Sequence, residues 1–270
     1  MPAVDLALGR TLGLVVATAL AAARLTPVVW MVAPLGGPRL PAMVRVGFAL
    51  LLAAIASPLL APAAAVHAFA DASALRLALH LAREVMVGFC LALVASAVFR
   101  AAEVAGRLGD TLRGANIGEV LVPTADERSS PLGALYLLLA TLVFLQVGGV
   151  PRLIEALLSS YRAVPVGGGL NVGAARGAAA LVALASARLI ASGMALAAPI
   201  VVAVWVTDVA LGLIARAAPQ IPVYFVGLPL KGLLALGVVL LGLGTLEAAL
   251  VGEIGAWLTL FGRTIATFAD

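Results

Sequence analysis

Residues 99–131 read FRAAEVAGRLGDTLRGANIGEVLVPTADERSSP, and they interrupt a chain that otherwise consists of long runs of Ala, Leu, Val and Gly. This polar stretch holds nine of the thirty Asp, Glu, Lys and Arg residues of the chain. Its four basic residues are all Arg and the other five are acids, so the two signs nearly cancel. Balanced charge is not typical of a surface that binds nucleic acid or anionic lipid. We therefore treat the stretch as a candidate functional centre, with an ordinary hydrophilic loop as the alternative.

The composition around this stretch is that of a membrane protein. Of the 270 residues, 63% are hydrophobic and 11% are charged, whereas a soluble domain has roughly 45–50% apolar and about 25% charged residues. We predict an all-α, polytopic membrane-type fold with short, broken helices and helical hairpins, in a single domain over residues 1–270. The one cysteine, Cys90, lies in an apolar run and can form neither an internal disulfide nor a metal site. We expect the first apolar run to be retained rather than removed as a signal peptide.

Six apolar runs approach the roughly 20 residues that a membrane helix needs. They cover residues 12–33, 44–60, 75–99, 132–147, 178–206 and 223–251. The fifth is interrupted by Pro199, and the residues beyond the sixth run could form a helix at the membrane surface. The fourth is short and ends at Gly148-Gly149. Residues 150–161 then carry apolar side chains at the spacing of an amphipathic helix, so we expect a helical hairpin here.

Within the polar stretch, the first part keeps helical spacing. Glu103 and Arg107 are separated by four residues in the favourable order for an ion pair. Gly114 is a plausible helix end, because glycine readily adopts the left-handed conformation that follows a last turn. The helical pattern is lost over residues 115–130, and Pro131 follows, so the sequence predicts a loop with Gly114 and Pro131 as its hinges.

The charge distribution gives no membrane orientation. Six spans would place eight Lys and Arg residues on one side and seven on the other. Multi-pass proteins normally show a clear excess of basic residues in their short cytoplasmic loops. Either the predicted spans are wrong, or the helices do not cross a bilayer in the usual way.

No enzyme motif is present. The sequence contains no P-loop, HExxH or GxSxG pattern, and its two histidines cannot supply a convincing metal site. We expect no catalytic, cofactor-binding or metal site, and no bound cofactor. Charges inside apolar runs are more informative, because a charge in hydrocarbon needs a partner or water. The candidates for contacts between helices or subunits are Arg24, Arg83, Glu84, Arg188, Asp208, Arg216 and Lys231. The alternative for those near span ends is that the side chain extends to the membrane surface.

Over residues 83–231 the chain resembles the FliR/SctT-type export-apparatus proteins of bacterial flagella and type III secretion systems. The order and spacing of several short motifs carry the resemblance. They are Arg83-Glu84-Val85 with Gly88, Ala105-Gly106, Arg113-Gly114-Ala115, Ser130-Pro131-Leu132-Gly133, Phe144-Leu145 with Gly148-Gly149, Ser160-Tyr161 with Pro165, Pro199, Asp208, Arg216-Ala217-Ala218-Pro219-Gln220, and Pro229 with Lys231. Val150, Asp126-Glu127 and Tyr224 depart from the flagellar pattern, which favours the injectisome branch.

The resemblance implies a structural and gating subunit of the inner-membrane portal of a type III secretion system. Such a subunit lies in the bacterial inner membrane, within a basal body, and helps to form and seal a channel for unfolded polypeptides. Its partners would be FliP/SctR-like and FliQ/SctS-like membrane subunits and a FlhB/SctU-like switch protein. The resemblance implies a channel plug formed by Gly114, Ala115, Asn116, Ile117, Gly118, Glu119, Val120, Leu121, Val122, Pro123 and Pro131. It adds Pro219 and Gln220 to the candidate contact residues.

Two other functions compete with this one. An independent secondary transporter would have a small-solute site among broken helices, and usually internal repeats. A membrane enzyme would need a cluster of catalytic side chains. The two halves of the sequence show no convincing repeat, and no such cluster is evident.

Overall fold

The structure is a computed structural model that describes residues 2–36, 40–60, 73–115, 130–166 and 172–269, and all regular elements in these segments are helical. The predicted all-α, membrane-type fold is confirmed. The described segments contain eight α-helices. They are α1 (Pro2–Met31), α2 (Ala42–Leu60), α3 (Ala74–Leu112), α4 (Pro131–Gln146), α5 (Gly149–Ala163), α6 (Val172–Ala217), α7 (Val223–Leu241) and α8 (Leu243–Ala269). A short 3-10 turn, Ala33–Leu35, follows α1.

Five helices of the described segments are long and apolar enough to cross a membrane, and the number rises to six if the broken pair α4–α5 counts as one span. The five stretches are Thr11–Met31, Ala74–Leu112, Arg176–Ala217, Val223–Leu241 and Leu243–Phe268. In α2 only the shorter stretch Ala42–Ala56 is apolar in this sense. The chain is therefore a multi-pass membrane protein by the length and composition of its helices.

The fifth span was predicted to end at residue 206 and to be interrupted at Pro199. The observed helix is longer and continuous. The helix α6 runs for 46 residues and contains Pro199. A proline removes one backbone hydrogen bond. In apolar surroundings the backbone groups next to the proline find no water to hydrogen-bond with. A helix therefore remains the most favourable conformation before and after Pro199. The helix accordingly continues through Asp208 to Ala217.

The predicted sixth span is broken where the sequence analysis placed a continuous helix. Helix α7 ends at Leu241 and α8 begins at Leu243. At the break, Gly242 N–H donates to the carbonyl of Val238 at 2.9 Å, and the Gly242 carbonyl accepts from Leu246 N–H at 2.9 Å. Glycine is a weak helix former. Because the residues on either side of Gly242 are apolar, the sequence showed one continuous run here. Helix α8 then continues to Ala269, through the residues beyond the predicted sixth span.

The predicted break between the fourth run and the amphipathic helix is confirmed. Gly148 lies between α4 and α5 with φ +67°, a left-handed conformation that favours glycine. In α5 the apolar side chains of Leu153, Leu157 and Tyr161 are buried. This is the i, i+4, i+8 face of an amphipathic helix.

The chain forms two compact units. The first comprises Met1–Ala97, Gly148–Ser186 and Ala256–Asp270, and the second comprises Val98–Val147 and Ala187–Gly255. In the first unit, α1 packs along α2. In the second, the rings of Phe99 and Phe144 meet edge to face, with centroids 5.1 Å apart.

A glycine allows a close helix contact in the first unit. A Cβ atom at Gly88 of α3 would overlap the backbone carbonyl of Arg24 in α1. Both helices are long and apolar, and small residues are what allow such backbones to touch.

We expect Gly88→Ala to destabilise the protein by about 1–3 kcal/mol, because the added methyl group must push α1 and α3 apart. The matched control is Gly212→Ala in α6, where a Cβ atom would meet nothing within 4 Å. There the better helix propensity of alanine should stabilise the protein by up to about 1 kcal/mol. Thermal unfolding of both variants in detergent measures the difference. Equal effects at the two positions would contradict the close contact.

Candidate functional site

The predicted plug is described only at its two ends. Gly114, Ala115 and Pro131 lie within the described residues. Residues lying outside them are Asn116, Ile117, Gly118, Glu119, Val120, Leu121, Val122 and Pro123. The site is therefore built here from the end of α3, the start of α4 and the groups that hold them together.

Gly114 ends α3 in a hydrogen-bonded cap, as predicted. It has φ +79°, and its N–H donates to the Thr111 carbonyl at 3.1 Å. The N–H of Ala115 donates to the Asp110 carbonyl at 3.0 Å. These two bonds are those of a Schellman motif, in which a left-handed glycine closes the last turn. A residue with a side chain is strained at this φ, so the sequence requires Gly114 at this end.

Ser130 and Pro131 begin α4 in an equally defined way. The Ser130 hydroxyl accepts a hydrogen bond from Gly133 N–H at 3.1 Å, which is the bond of a helix N-cap. Pro131 occupies the first helical position, where its missing N–H costs nothing and its fixed φ suits the helix. Both ends of the segment are thus held by caps, although we predicted hinges at Gly114 and Pro131.

A single buried carboxylate binds both ends. Asp110 Oδ1 accepts from Arg113 Nε at 2.8 Å and pairs with Arg113 Nη2 at 2.6 Å. Its other oxygen, Oδ2, accepts from the Ser130 hydroxyl at 2.6 Å and from Leu132 N–H at 2.9 Å. The Asp110 side chain is fully buried. A buried carboxylate is stable only with such complete pairing, so Asp110 fixes the start of α4 against the last turn of α3. We call this group the Asp110 clamp.

Glycines bring the two helix ends close enough for the Asp110 clamp to form. A Cβ atom at Gly106 would overlap the backbone of Leu132, and one at Gly133 would press on Ser130 and Arg107. The Asp110 carboxylate can therefore reach a backbone N–H of α4 directly. The Asp110 clamp also approaches α7. The Arg113 guanidinium lies 3.6 Å from the position that a Cβ atom at Gly232 would occupy.

The outer face of α3 carries the predicted ion pair. Glu103 bonds Arg107 at 2.7 Å and Arg100 at 3.0 Å. Both arginine side chains are about half exposed, at 56% and 43%. Pairs of this kind contribute little to stability, so Glu103 is a natural comparison for the buried Asp110.

A second buried carboxylate, Glu84, organises the first unit. Arg24 Nε donates to Glu84 Oε2 at 2.6 Å, and both side chains are fully buried. The same guanidinium donates to the carbonyls of Ser160 at 3.1 Å and Val164 at 2.9 Å. It also lies over the ring of Tyr161, 4.4 Å from the centroid. One arginine of α1 thus joins α3 and α5.

Arg83 lies beside this pair and contacts it more loosely. Its Nη1 is 3.5 Å from Glu84 Oε1, and its two Nη atoms are 3.4 and 3.5 Å from the Pro165 carbonyl. Arg83 Nε is buried and has no hydrogen-bond partner among the described residues. Glu84 thus joins two helices of one unit, and Arg83 contacts the residues that follow α5.

The remaining candidate contact residues divide into paired and exposed ones. Lys231 of α7 forms an ion pair with Asp208 of α6. Arg216 is exposed in the last turn of α6, and Pro219 and Gln220 are exposed in the turn that follows it. Arg188 is exposed too, and no acid of the described segments pairs with it.

The sequence analysis missed two residues that the structure makes prominent. Asp110 was one of several regularly spaced charges, although its distance of three residues from Arg113, next to Gly114, was a local signal. Glu253 of α8 accepts a hydrogen bond from Ser192 of α6 at 2.7 Å. Nothing in the apolar run around Ser192 indicated this contact, which depends on packing between distant helices.

We expect Asp110→Asn to destabilise the protein by about 3 kcal/mol, because the partly buried Arg113 loses its counter-charge and one amide hydrogen at the buried position faces a donor. Glu103→Gln is the matched control on the same helix, and it should cost less than about 1 kcal/mol. Thermal unfolding in detergent gives both values. A cost for Asp110→Asn as small as that of the control would show that the clamp does not hold the helix ends.

Comparison with known proteins gives the chain a family. Residues 15–256 match the sequence profile described as bacterial export proteins, family 1. The chain is 32% identical to the flagellar biosynthetic protein FliR of Bacillus subtilis over 200 residues, which are 73% of this chain and 75% of that protein.

Relatives from secretion systems match at similar identity. The secretion system apparatus protein SsaT of Salmonella typhimurium is 31% identical over 153 residues, which are 57% of this chain and 58% of that protein. The Yop proteins translocation protein T of Yersinia pestis is 30% identical over 174 residues, which are 64% of this chain and 66% of that protein. The chain thus spans less than two thirds of the length of these two relatives. Since the family profile runs from α1 into α8, the chain belongs to the bacterial export proteins, family 1, and the resemblance to FliR/SctT-type proteins is confirmed.

Proposed function

We propose that this protein is a structural and gating subunit of the inner-membrane portal of a type III protein secretion system, of the injectisome branch. It has no catalytic role in this proposal. It lies in the basal body with FliP/SctR-like and FliQ/SctS-like subunits and a FlhB/SctU-like switch protein, and unfolded polypeptides pass through the channel that they form. The family of the chain and the names of its relatives support an export role.

The Asp110 clamp is the observation that carries the gating part of the proposal. A plug must return to the same closed position after each opening, so its ends need a fixed support. Asp110, through Arg113, Ser130 and Leu132, holds the two ends of residues 115–130 together. The closed state then depends on residues between the caps, and the caps themselves stay in place.

The outer surfaces of α6 and α7 support the assembly part of the proposal. Large apolar side chains are exposed there, among them Trp205, Leu213, Phe225 and Leu233. Lipid would cover them equally well, but α6 also presents the carboxylate of Asp208, which is 46% exposed beside Lys231. A charge pair facing hydrocarbon is costly. Protein neighbours that complete its hydrogen bonds are therefore the better cover for this face.

Deleting residues 116–122 should let the assembled portal leak ions or small solutes, because the span between the capped ends would be too short to fill the channel. The measurement is solute uptake or conductance of cells that carry the assembled complex. The matched control removes Gly167, Gly168 and Gly169, a glycine run that the sequence predicts to be a linker. A deletion mutant that assembles normally and stays sealed would show that the plug assignment is wrong.

Removing the Asp208–Lys231 pair should reduce the recovery of the complex. We expect Lys231→Met, which keeps the length of the side chain, to lower the amount of partner subunits that co-purify with the tagged protein. Arg107→Gln, which breaks a half-exposed pair on α3, is the control and should leave recovery unchanged. Equal recovery from both variants would argue that Lys231 has no role in assembly.

The same purification separates this function from the transporter alternative. A portal subunit should depend on its partners for recovery, whereas an independent transporter should be stable and active alone. Wild-type protein that purifies alone and transports a solute would therefore replace the proposal.

A further inference from the structure

The second unit contains a cavity of about 340 Å³ among α4, α6, α7 and α8. Most of its wall is apolar, and Tyr136 contributes a buried ring. Glu253 of α8 supplies the carboxylate of the wall. Two irregular points of the fold, Pro199 in α6 and Gly242 between α7 and α8, border the same cavity. A mostly apolar cavity that contains an ionisable residue is a candidate binding site.

The Glu253 carboxylate lacks a counter-charge. Its Oε2 accepts from the Ser192 hydroxyl at 2.7 Å, and the other oxygen has no hydrogen-bond partner within the described part of the chain. No Lys or Arg of these segments lies within ion-pairing distance of it. By contrast, Asp110 and Asp208 of the same unit both have cationic partners. An ionised carboxylate between apolar helices is unfavourable without one.

Pro199 adds a further hydrogen-bond acceptor to the wall. Pro199 has no N–H, so the carbonyl of Ala195, one turn earlier and on the cavity wall, loses its usual donor. Together with the Glu253 carboxylate, this carbonyl makes the polar part of the cavity negative in sign, so the cavity suits a cation that donates hydrogen bonds.

The apolar part of the wall decides which kind of cation fits. A bare metal ion such as Ca²⁺ needs six or more oxygen ligands, and a wall that is mostly apolar with one carboxylate does not provide them. Lysine and arginine combine an apolar stem with a charged end that donates hydrogen bonds. Both parts of such a side chain match the cavity.

We propose that the cavity receives a lysine or arginine side chain from a neighbouring chain of the assembled export apparatus, with its charged end on Glu253. The apolar stem lies against the walls formed by α4, α6 and α7. The inference rests on the proposed function, because it requires a neighbouring chain. It adds the position and the chemistry of one contact in that assembly.

Photo-crosslinking in the assembled, full-length protein tests the proposal. A photoreactive amino acid replaces Ala249, which is exposed on the cavity wall. We expect a covalent adduct to another membrane chain, and the adduct peptide should contain a lysine or arginine. Glu253→Gln keeps the shape of the side chain and should lower the adduct yield several-fold, while Glu253→Lys should abolish it. Exchanging the charges, with Glu253→Lys and an acid in place of the identified basic residue, should restore the adduct.

Controls separate this contact from a general loss of structure. Glu155→Gln in α5 removes an acid that does not line the cavity and should leave the adduct yield unchanged. Thermal unfolding of Glu253→Gln in detergent reports whether that variant folds, and the adduct of the protein that retains Glu253 identifies the partner independently. Arg188 lies one turn from Ser192 on α6, so an adduct within the same chain at Arg188 would show that the cavity is neutralised internally.

Other outcomes overturn this proposal without deciding whether the protein is a subunit of the export apparatus. An adduct to lipid alone, an adduct peptide without a basic residue, or an equal yield from Glu253→Gln would each exclude the cationic side chain. If partner subunits still co-purify in those cases, the role in the export apparatus stands. If the wild-type protein purifies alone, the proposed function fails first.

Discussion

The structure depends on one constraint: a carboxylate buried among apolar helices must find its counter-charge inside the protein. Two fully buried acids of the described segments meet it, Glu84 with Arg24 and Asp110 with Arg113. Each also reaches a part of the chain that is distant in sequence. Arg24 lies 60 residues before Glu84, and Leu132 lies 22 residues after Asp110. The Arg24–Glu84 pair therefore joins α1, α3 and α5 in the first unit, and Asp110 joins α3 to the start of α4 in the second.

Both acids share α3 with a glycine four residues away. Gly88 lies one turn after Glu84 and admits the backbone of Arg24, while Gly106 lies one turn before Asp110 and admits the backbone of Leu132. Residues four apart share a helix face. In each case the glycine brings in the same residue that the carboxylate binds. The close approach of the backbones reduces the distance that the carboxylate must span to its partner. The hydrogen bonds and ion pairs that form in turn compensate for the desolvation of the charges. The motifs Arg83-Glu84-Val85 with Gly88 and Ala105-Gly106 thus have a physical explanation in two helix contacts.

The exposed face of the second unit follows a different rule. Its apolar side chains on α6 and α7 are not covered by the described part of the chain, and the Asp208–Lys231 pair lies among them. Glu253 faces a cavity to which the described residues contribute no cation. A protein that folded as an independent unit would gain by pairing or removing these groups. Their presence fits a subunit whose remaining contacts are made with other chains. Protein neighbours can replace lipid around a helix, which would also account for the lack of a charge bias between the two sides.

The sequence by itself determined the features that depend on local spacing. The composition indicated the all-helical membrane class, and Gly114 indicated the end of α3. The spacing of apolar residues over 150–161 predicted the amphipathic face of α5, and a spacing of four predicted the Glu103–Arg107 pair. Only the tertiary structure decided that α6 continues through Pro199, that Gly242 breaks the last apolar run, and that Asp110 rather than Glu103 holds the candidate site. The reason is physical: a turn or a cap forms from neighbours along the chain, whereas the stability of a helix break or a buried charge depends on groups that folding brings from far away.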